Sequence, residues 1–475
     1  MPFLGRKEEL QGLEPLLRKK SASLVIVRGR RRIGKSCLIG QFSKQFERYY
    51  CFAGLAPSHT ATASLQKEEF LRQMRRQGIR SLGEQDWGSL FEDVAYSCKD
   101  SGRTLILFDE ISWMAQGDNT FLAKLKNAWD FGFKSNPELI LVLSGSNSTW
   151  IEKNLLQETG FVGRISYRLH LQELALDECS LFWGSHGYQV SPFEKYKLLS
   201  VTGGIPRYLE EIDLSQSSEE NIRRLCFRPE GLLFHEFEEI FSDSLSHRSP
   251  YYKQIIIELA EQRRSLAQLS HALGRERSGG DLSHYVDDLF QADFIANEYG
   301  WDLETGKEGR FPQFRLSDNY TRFYVKFIEP HKQAIQAGTM RALPAGWDGI
   351  MGLQFENLVL AKKNRIKLYE LLELPLDSIV RANPFLQTAT ARRQKCQIDF
   401  LIQTRDGSLY ICEIKFSKNP LSTSLIAEVQ QKIERLKRQR YFSCRPILIH
   451  VNGVSEGLRK SDFFVKIIDF SCLLT

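Results

Sequence analysis

Residues 23–42 read SLVIVRGRRRIGKSCLIGQF, and the first third of the chain takes its fold from this stretch. A short run of β-branched residues leads into Gly29-Arg30-Arg31-Arg32-Ile33-Gly34-Lys35-Ser36, and helical spacing follows. The octet fits GxxxxGK[ST], and its position between a strand and a helix is what phosphate binding requires. Glycines let backbone N–H groups turn inward at an anion, and the helix start adds its positive dipole end. Lys35 is expected to reach the β- and γ-phosphates of ATP, and Ser36 to ligate Mg²⁺. Gly29, Ile33, Gly34 and Cys37 complete the cradle. Arg30, Arg31 and Arg32 either add charge toward the triphosphate or face solvent or a neighbouring subunit.

Working outward, residues 104–110 read TLILFDE, an apolar run that emerges in Asp109 and Glu110. Asp109 is expected in the magnesium shell, with Glu110 orienting or deprotonating the attacking water. SLVIVRG, YYCFAGL, RTLILFDE and LILVLSGS read as buried strands, with helical spacing between them. That alternation predicts an α/β fold, a parallel sheet covered by helices, over residues 1–170. Residues 171–240 turn mostly helical and are expected to form a lid.

Several separate motifs then carry a resemblance. Phe3-Leu4-Gly5-Arg6 with Glu9-Leu10, Asp86-Trp87, Ser144-Gly145-Ser146-Asn147, Gly163-Arg164 and Thr202-Gly203-Gly204-Ile205-Pro206 with Tyr208 and Leu209 resemble the archaeal-type ATPase family. These are AAA-related, STAND-like P-loop proteins that also occur in bacteria, and the resemblance covers residues 1 to about 235. It implies that Phe3 and Arg6 pack by the adenine and that Asn147 senses the γ-phosphate. It also implies that Arg164 acts as an arginine finger, for which a salt bridge inside the ATPase core is the alternative. Arg207 is a second-sensor candidate.

Residues 241–335 offer three short helical stretches, then extended IANEYG and RFPQFRLS around a polar loop, the plan of a winged helix. Its expected recognition helix, DLSHYVDDLFQ, is acidic, which favours a coupling module over groove binding. In residues 336–475 the helix IMGLQFENLVLAKKNR leads to QIDFLIQ, a TRDGS turn, LYICEIKF, the long helix LIAEVQQKIERLKRQR and RPILIHV. Asp399 and Glu413 can meet at one end of such a hairpin, and Lys415, two residues after Glu413, shares its strand face. Two carboxylates can hold Mg²⁺ on a phosphodiester while the lysine positions water; Glu356 offers a further acid and Gln430 a backbone or lysine contact. The order is similar to the PD-(D/E)xK nuclease superfamily, an α/β restriction-endonuclease-like fold, with Ile398 where that superfamily carries Pro. The alternative is a set of solvent-end charges on a domain that keeps the fold without cleaving.

Bulk properties agree with this division. Residues 341–475 hold 21 Lys and Arg against 13 Asp and Glu, about +8 within a net charge of +6. That excess suits a polyanion, nucleic acid with DNA ahead of RNA, or marks only a solvated helix face. The nine cysteines are scattered without CxxC spacing and the nine histidines lack ligand pairing, so neither a zinc site nor a disulfide framework is expected. No signal peptide or bilayer-length apolar run is present in the sequence, which predicts a cytoplasmic protein with no membrane partner. A homo-oligomer is left open. The expected function is an ATP- and Mg²⁺-dependent ATPase coupled to a nucleic-acid-processing domain; the rival is a STAND-type signalling switch that binds a partner without cleavage.

Overall fold

The computed structural model describes residues 2–57, 62–81, 86–244, 249–274, 280–340, 342–389 and 394–475. The chain divides into two compact units, Met1–Glu173 with Glu239–His247, and Leu174–Glu238 with Arg248–Thr475. Among the described residues no helix is long and apolar enough to cross a membrane.

The first unit is built on five parallel strands, β1 (Ser23–Arg28), β2 (Arg48–Ala53), β3 (Thr104–Asp109), β4 (Leu139–Gly145) and β5 (Ile165–His170). Their order is β2-β3-β4-β1-β5. The central strands are buried because helices cover both faces of a parallel sheet, which is why they read as unbroken apolar runs. β5, which the sequence reading passes over, is the edge strand ISYRLH: half-exposed, it alternates polar and apolar residues and lacks that run. Helices α1 (Lys7–Leu13), α2 (Lys35–Phe42), α3 (Ala63–Arg76), α4 (Trp87–Ser97) and α5 (Phe121–Phe131) accompany the sheet. The Asp86-Trp87 motif has a packing explanation. Asp86 caps α4 by accepting from Ser89 N at 3.1 Å, and Trp87, fully buried, meets Phe70 and Phe121 edge-on.

The second unit joins what the sequence divides into a lid, a middle segment and a C-terminal domain. The middle segment holds α7 (Ser249–Glu261), α8 (Leu266–Ala272) and α9 (Gly280–Gln291), then the antiparallel ribbon of β6 (Ile295–Glu298) and β7 (Gln313–Leu316). The C-terminal sheet runs β12-β11-β10-β9-β8, from β8 (Ile379–Gln387), β9 (Cys396–Thr404), β10 (Ser408–Lys415), β11 (Ser443–His450) and β12 (Lys466–Asp469). β8, β9 and β10 are antiparallel neighbours, whereas β11 and β12 continue in parallel.

The reason for a single unit is α10 (Met351–Leu360), MGLQFENLVL, which is buried nearly all round. Gln354 donates to the carbonyls of Ser200, in α6 (Pro192–Thr202), at 2.7 Å and of Asn319 at 2.8 Å, and accepts from Arg322 at 2.8 Å. Asn357 donates to Leu316 O at 3.0 Å and to Asn319 Oδ1 at 2.9 Å. Buried polar groups need such partners, and these come from all three sequence segments. The ribbon loop adds Trp301 and Leu303 to the apolar core of the C-terminal sheet.

Two helices end earlier than their sequence patterns suggest. α10 stops at Leu360, where the side chains of Asn364 and Arg365 donate to the carbonyls of Leu358 and Leu360 at 2.6 and 2.7 Å. α11 (Ser424–Arg435) stops before Leu436, which turns extended and inserts into the core, so the basic QKIERLKRQR stretch is no continuous helix face.

Candidate functional site

The strand order β3-β4-β1 brings three carboxyl ends to one edge of a parallel sheet, the usual ligand side of such folds. From β1 the chain turns through Gly29 (φ 153°), Arg32 (φ 63°) and Gly34 (φ 90°) before α2 begins at Lys35. A β-carbon on Gly29 would lie 2.3 Å from the Leu171 carbonyl oxygen, so only glycine fits there. Lys35 is buried, and its ammonium donates to the carbonyls of Gly29 at 2.9 Å and Arg30 at 3.1 Å. Burial holds its pKa below the ordinary lysine value, while Glu110, 3.9 Å away, and Asp109 pull in the opposite direction. Ile33 is buried beneath the loop, whereas Ser36 and Cys37 are exposed.

Asp109 and Glu110 close the other side. Ser36 Oγ donates to Asp109 Oδ2 at 2.5 Å, and Ser144 Oγ, at the end of β4, donates to Asp109 Oδ1 at 2.9 Å. Ser36 and Asp109 therefore place two hard oxygen donors side by side, a set that fits Mg²⁺. Glu110 takes a left-handed backbone conformation (φ 51°, ψ 52°), uncommon for a residue with a β-carbon. The turn directs its carboxylate back to β4, where Ser146 N and Oγ donate to Oε2 at 2.9 and 2.8 Å. Strain of this kind clusters at functional sites.

The remaining expected residues divide. Arg6 is buried with its guanidinium on Ile33 O at 2.9 Å, Gln172 O at 2.6 Å and Glu9 at 2.9 Å, so it braces the phosphate loop from below. Phe3 is half-buried ahead of it. Arg30 lies 3.9 Å from Glu173, Arg31 lies over the Trp113 ring, and Arg32 pairs with Glu239. Asn147 accepts from Trp150 N at 2.9 Å and caps the short helix Ser148–Ile151; the polar contacts to the two acids come from Ser144 and Ser146 instead. Arg164 donates to Asp130 through Nε and Nη2 at 3.0 and 2.9 Å, a part-buried salt bridge within the first unit. Arg207, in the second unit, pairs with Glu210 and Glu211 on its own helical turn.

In the C-terminal sheet, Asp399 owes its aim to a bulge. β8 and β9 pair as Asn383 with Leu401 and Phe385 with Ile398, so Pro384 alone faces both Asp399 and Phe400. Proline offers no ladder N–H, and a bulged residue is turned out of the regular pleat. Asp399 Oδ2 accepts from Ile414 N at 2.9 Å, which sets it beside Glu413 on β10. Glu413 is fully buried. Its Oε2 receives Lys432 of α11 at 2.6 Å and lies 3.4 Å from Lys415, while its Oε1 has no hydrogen-bond partner. Burial, with Asp399 in the same direction and Lys432 opposing, pushes the Glu413 carboxyl up to about 7. Lys415 is held by Glu428 at 2.8 Å; burial works against its charge, but Asp399 and Glu428 outweigh it and raise its pKa. Gln430 donates to Glu434 at 3.2 Å on its own helix.

Glu356, expected as a further metal ligand, has a cationic partner in the structure. It lies on α10, ion-paired with Arg263, and burial pushes its carboxyl up, with Arg263 opposing and Asp399 adding to the rise. Among the described residues no group of three or more His, Cys, Asp or Glu side chains is gathered to hold a metal ion. Glu413 and Asp399 nevertheless fit one in part, since a buried carboxylate oxygen without a partner beside a second carboxylate is a place for a cation.

Residues 3–212 match a family model described as an ATPase domain predominantly from Archaea. Over these residues the chain is similar to the archaeal-type ATPases. Over a longer span it is 24% identical to an uncharacterized protein of Methanocaldococcus jannaschii, across 383 residues that cover 78% of this chain and 79% of that relative. An uncharacterized ATP-binding protein of the same organism is 50% identical over 40 residues, 8% of this chain and 68% of that one. Among solved structures, a Walker-type ATPase of Pyrococcus abyssi superposes with a TM-score of 0.50 at 18% identity, covering 68% of this chain and 96% of that one, a likeness of fold.

Within residues 3–212, the sequence pointed to Lys35, Ser36, Asp109 and Glu110 but not to the supporting roles of Ser144 and Ser146. Their signal was available: SGS follows a buried strand, and hydroxyls at a strand end beside two acids are natural donors. Lys432, Glu428 and Arg263 were missed as well. The first two form an i,i+4 pair visible in the sequence, but Arg263 reaches Glu356 across 93 residues and left no local trace.

Proposed function

We propose that this archaeal-type ATPase domain binds and hydrolyses ATP with Mg²⁺, and that its nucleotide state governs a nuclease-like C-terminal domain acting on nucleic acid, DNA ahead of RNA. The hydrolysis half rests on the meeting of Lys35, Ser36, Asp109 and Glu110 at one sheet edge. Lys35 would neutralise phosphate charge, Ser36 and Asp109 would hold the metal, and Glu110, fixed by Ser146, would position water. Bound Mg²⁺ would supply charge neutralisation at the β- and γ-phosphates.

The observation that carries the C-terminal half is the buried, unpartnered Oε1 of Glu413 beside Asp399. A divalent cation there would polarise a phosphodiester, with Lys415 and Lys432 countering charge on the acids. Helix order and ribbon in residues 249–316 support a winged helix for the middle segment. With Asp281, Asp287 and Asp288 on its third helix, coupling is favoured over groove binding. Residues 174–238 then serve as the element that answers the nucleotide.

One observation favours a second reading, a STAND-type switch that binds a partner without cutting. Glu356 and Glu413 already have cationic partners, Arg263 and Lys432, and an acid set neutralised from within needs no metal.

The deciding experiment measures cleavage of single- and double-stranded DNA and RNA with Mg²⁺ or Mn²⁺, with and without ATP. Asp399→Ala, Glu413→Ala and Lys35→Ala proteins run alongside. Cleavage should disappear in the first two and lose its ATP response in the third. Intact ATP hydrolysis with no cleavage under any condition would leave the switch as the function.

A further inference from the structure

Two consecutive residues of α10 each receive a guanidinium from the middle segment. Arg263, in the turn between α7 and α8, pairs with Glu356, and Arg315 of β7 reaches Asn357. Both arginines also share Glu298 of β6, Arg263 at 2.8 Å. Arg263 is not free to drift from the ribbon. Its neighbour Arg264 forms a two-way backbone bridge with Phe314, N to O at 3.1 and 2.8 Å. The turn is therefore tied to the two-stranded ribbon by this bridge, which fixes Arg263 beside β7.

Glu356 also belongs with the acids of the C-terminal sheet, which packs against α10. Asp399 accepts from Ile414 N at 2.9 Å and so stands beside Glu413, which is fully buried with Oε1 unpartnered. In this arrangement positive charge reaches Glu356 and Asp399 from a protein side chain supplied by another segment. A cation fixed next to a metal site competes with the metal, because both draw on the same carboxylates.

We infer that Arg263 is an internal counter-ion that keeps the acid set of Asp399, Glu413 and Glu356 closed to divalent cations, and that withdrawal of the middle segment's ribbon opens it. This rests on the metal-binding reading of Asp399 and Glu413 given above. Glu356 becomes the third ligand only when Arg263 leaves. The regulated quantity is thus metal affinity, and the regulator is the position of a turn held to β7.

The test is calorimetric titration of Mn²⁺ into the nucleotide-free full chain, in wild type, Arg263→Gln and Arg263→Gln/Glu413→Gln. Arg263→Gln should bind Mn²⁺ about tenfold or more tighter than wild type, and the double variant should lose that binding. Equal, Glu413-dependent affinity in wild type and Arg263→Gln would overturn the counter-ion role while leaving the metal site standing. Binding that ignores Glu413, or no binding in either protein, would overturn both. Should Arg263→Gln fail to melt cooperatively, Arg263→Lys reads the same quantity. A lysine keeps the charge but loses the two-pronged reach, so its affinity should lie between the two; a value no tighter than wild type would count against the proposal.

Discussion

Glu110 and Glu413 are both carboxylates held by hydrogen-bond donors, yet they answer to different physics. Glu110 sits at a strained turn with Ser146 on one oxygen, so its orientation is set before any nucleotide arrives. Glu110→Gln keeps an acceptor for Ser146 and should retain nucleotide, whereas turnover should fall about 100-fold or more. Phosphate release and retained fluorescent nucleotide separate the two; loss of binding would make Glu110 structural. Glu413 responds to pH instead. Its carboxyl, raised from 4.5 to about 7, binds a proton in the folded protein that the unfolded chain gives up. Folded protein without metal should therefore be more stable below about 4.5 and lose stability as pH rises through 7. Thermal melts of wild type and Glu413→Gln across that window check the sign, since the variant cannot ionise and should lack that part of the decline.

At the scale of elements, α10 is where three segments become one body. Gln354→Ala would strand Arg322 and two carbonyls in a dry interior, which should cost about 3 kcal/mol or more in urea unfolding. A loss below about 1 kcal/mol would mean that water or repacking takes the amide's place. The same helix explains what sequence could and could not deliver. Four parallel strands were legible because continuous apolar runs between helical spacings have few other interpretations. The phosphate loop and its two acids were legible because their spacing is local and their chemistry narrow. Partners across segments were not. Nothing in MGLQFENLVL tells that Glu356 meets Arg263 or that Gln354 meets Ser200, since contacts so distant in sequence carry no periodicity. Edge strand β5 was passed over for the opposite reason, its half-exposed alternation giving a weak signal.

Across the whole molecule, the proposed coupling has a spatially resolved signature in hydrogen exchange. ATP should protect residues 29–37, 109–110 and 144–146, all in the first unit. If nucleotide state governs the C-terminal site, exchange should also change around residues 262–265 and 351–360, which belong to the second. Protection confined to the first group would mean two independent activities on one chain.

The bulge facing Pro384 gives the C-terminal site a particular fragility. Deleting Asp399 would restore an even ladder with β8, because Phe400 alone would then face Pro384 while Ile398 and Leu401 keep their places opposite Phe385 and Asn383. The sheet should survive such a change, because Ile398 and Leu401 stay in its apolar core. If the domain cuts nucleic acid as proposed, a lineage could thus lose that chemistry through a single three-nucleotide deletion and keep the folded protein.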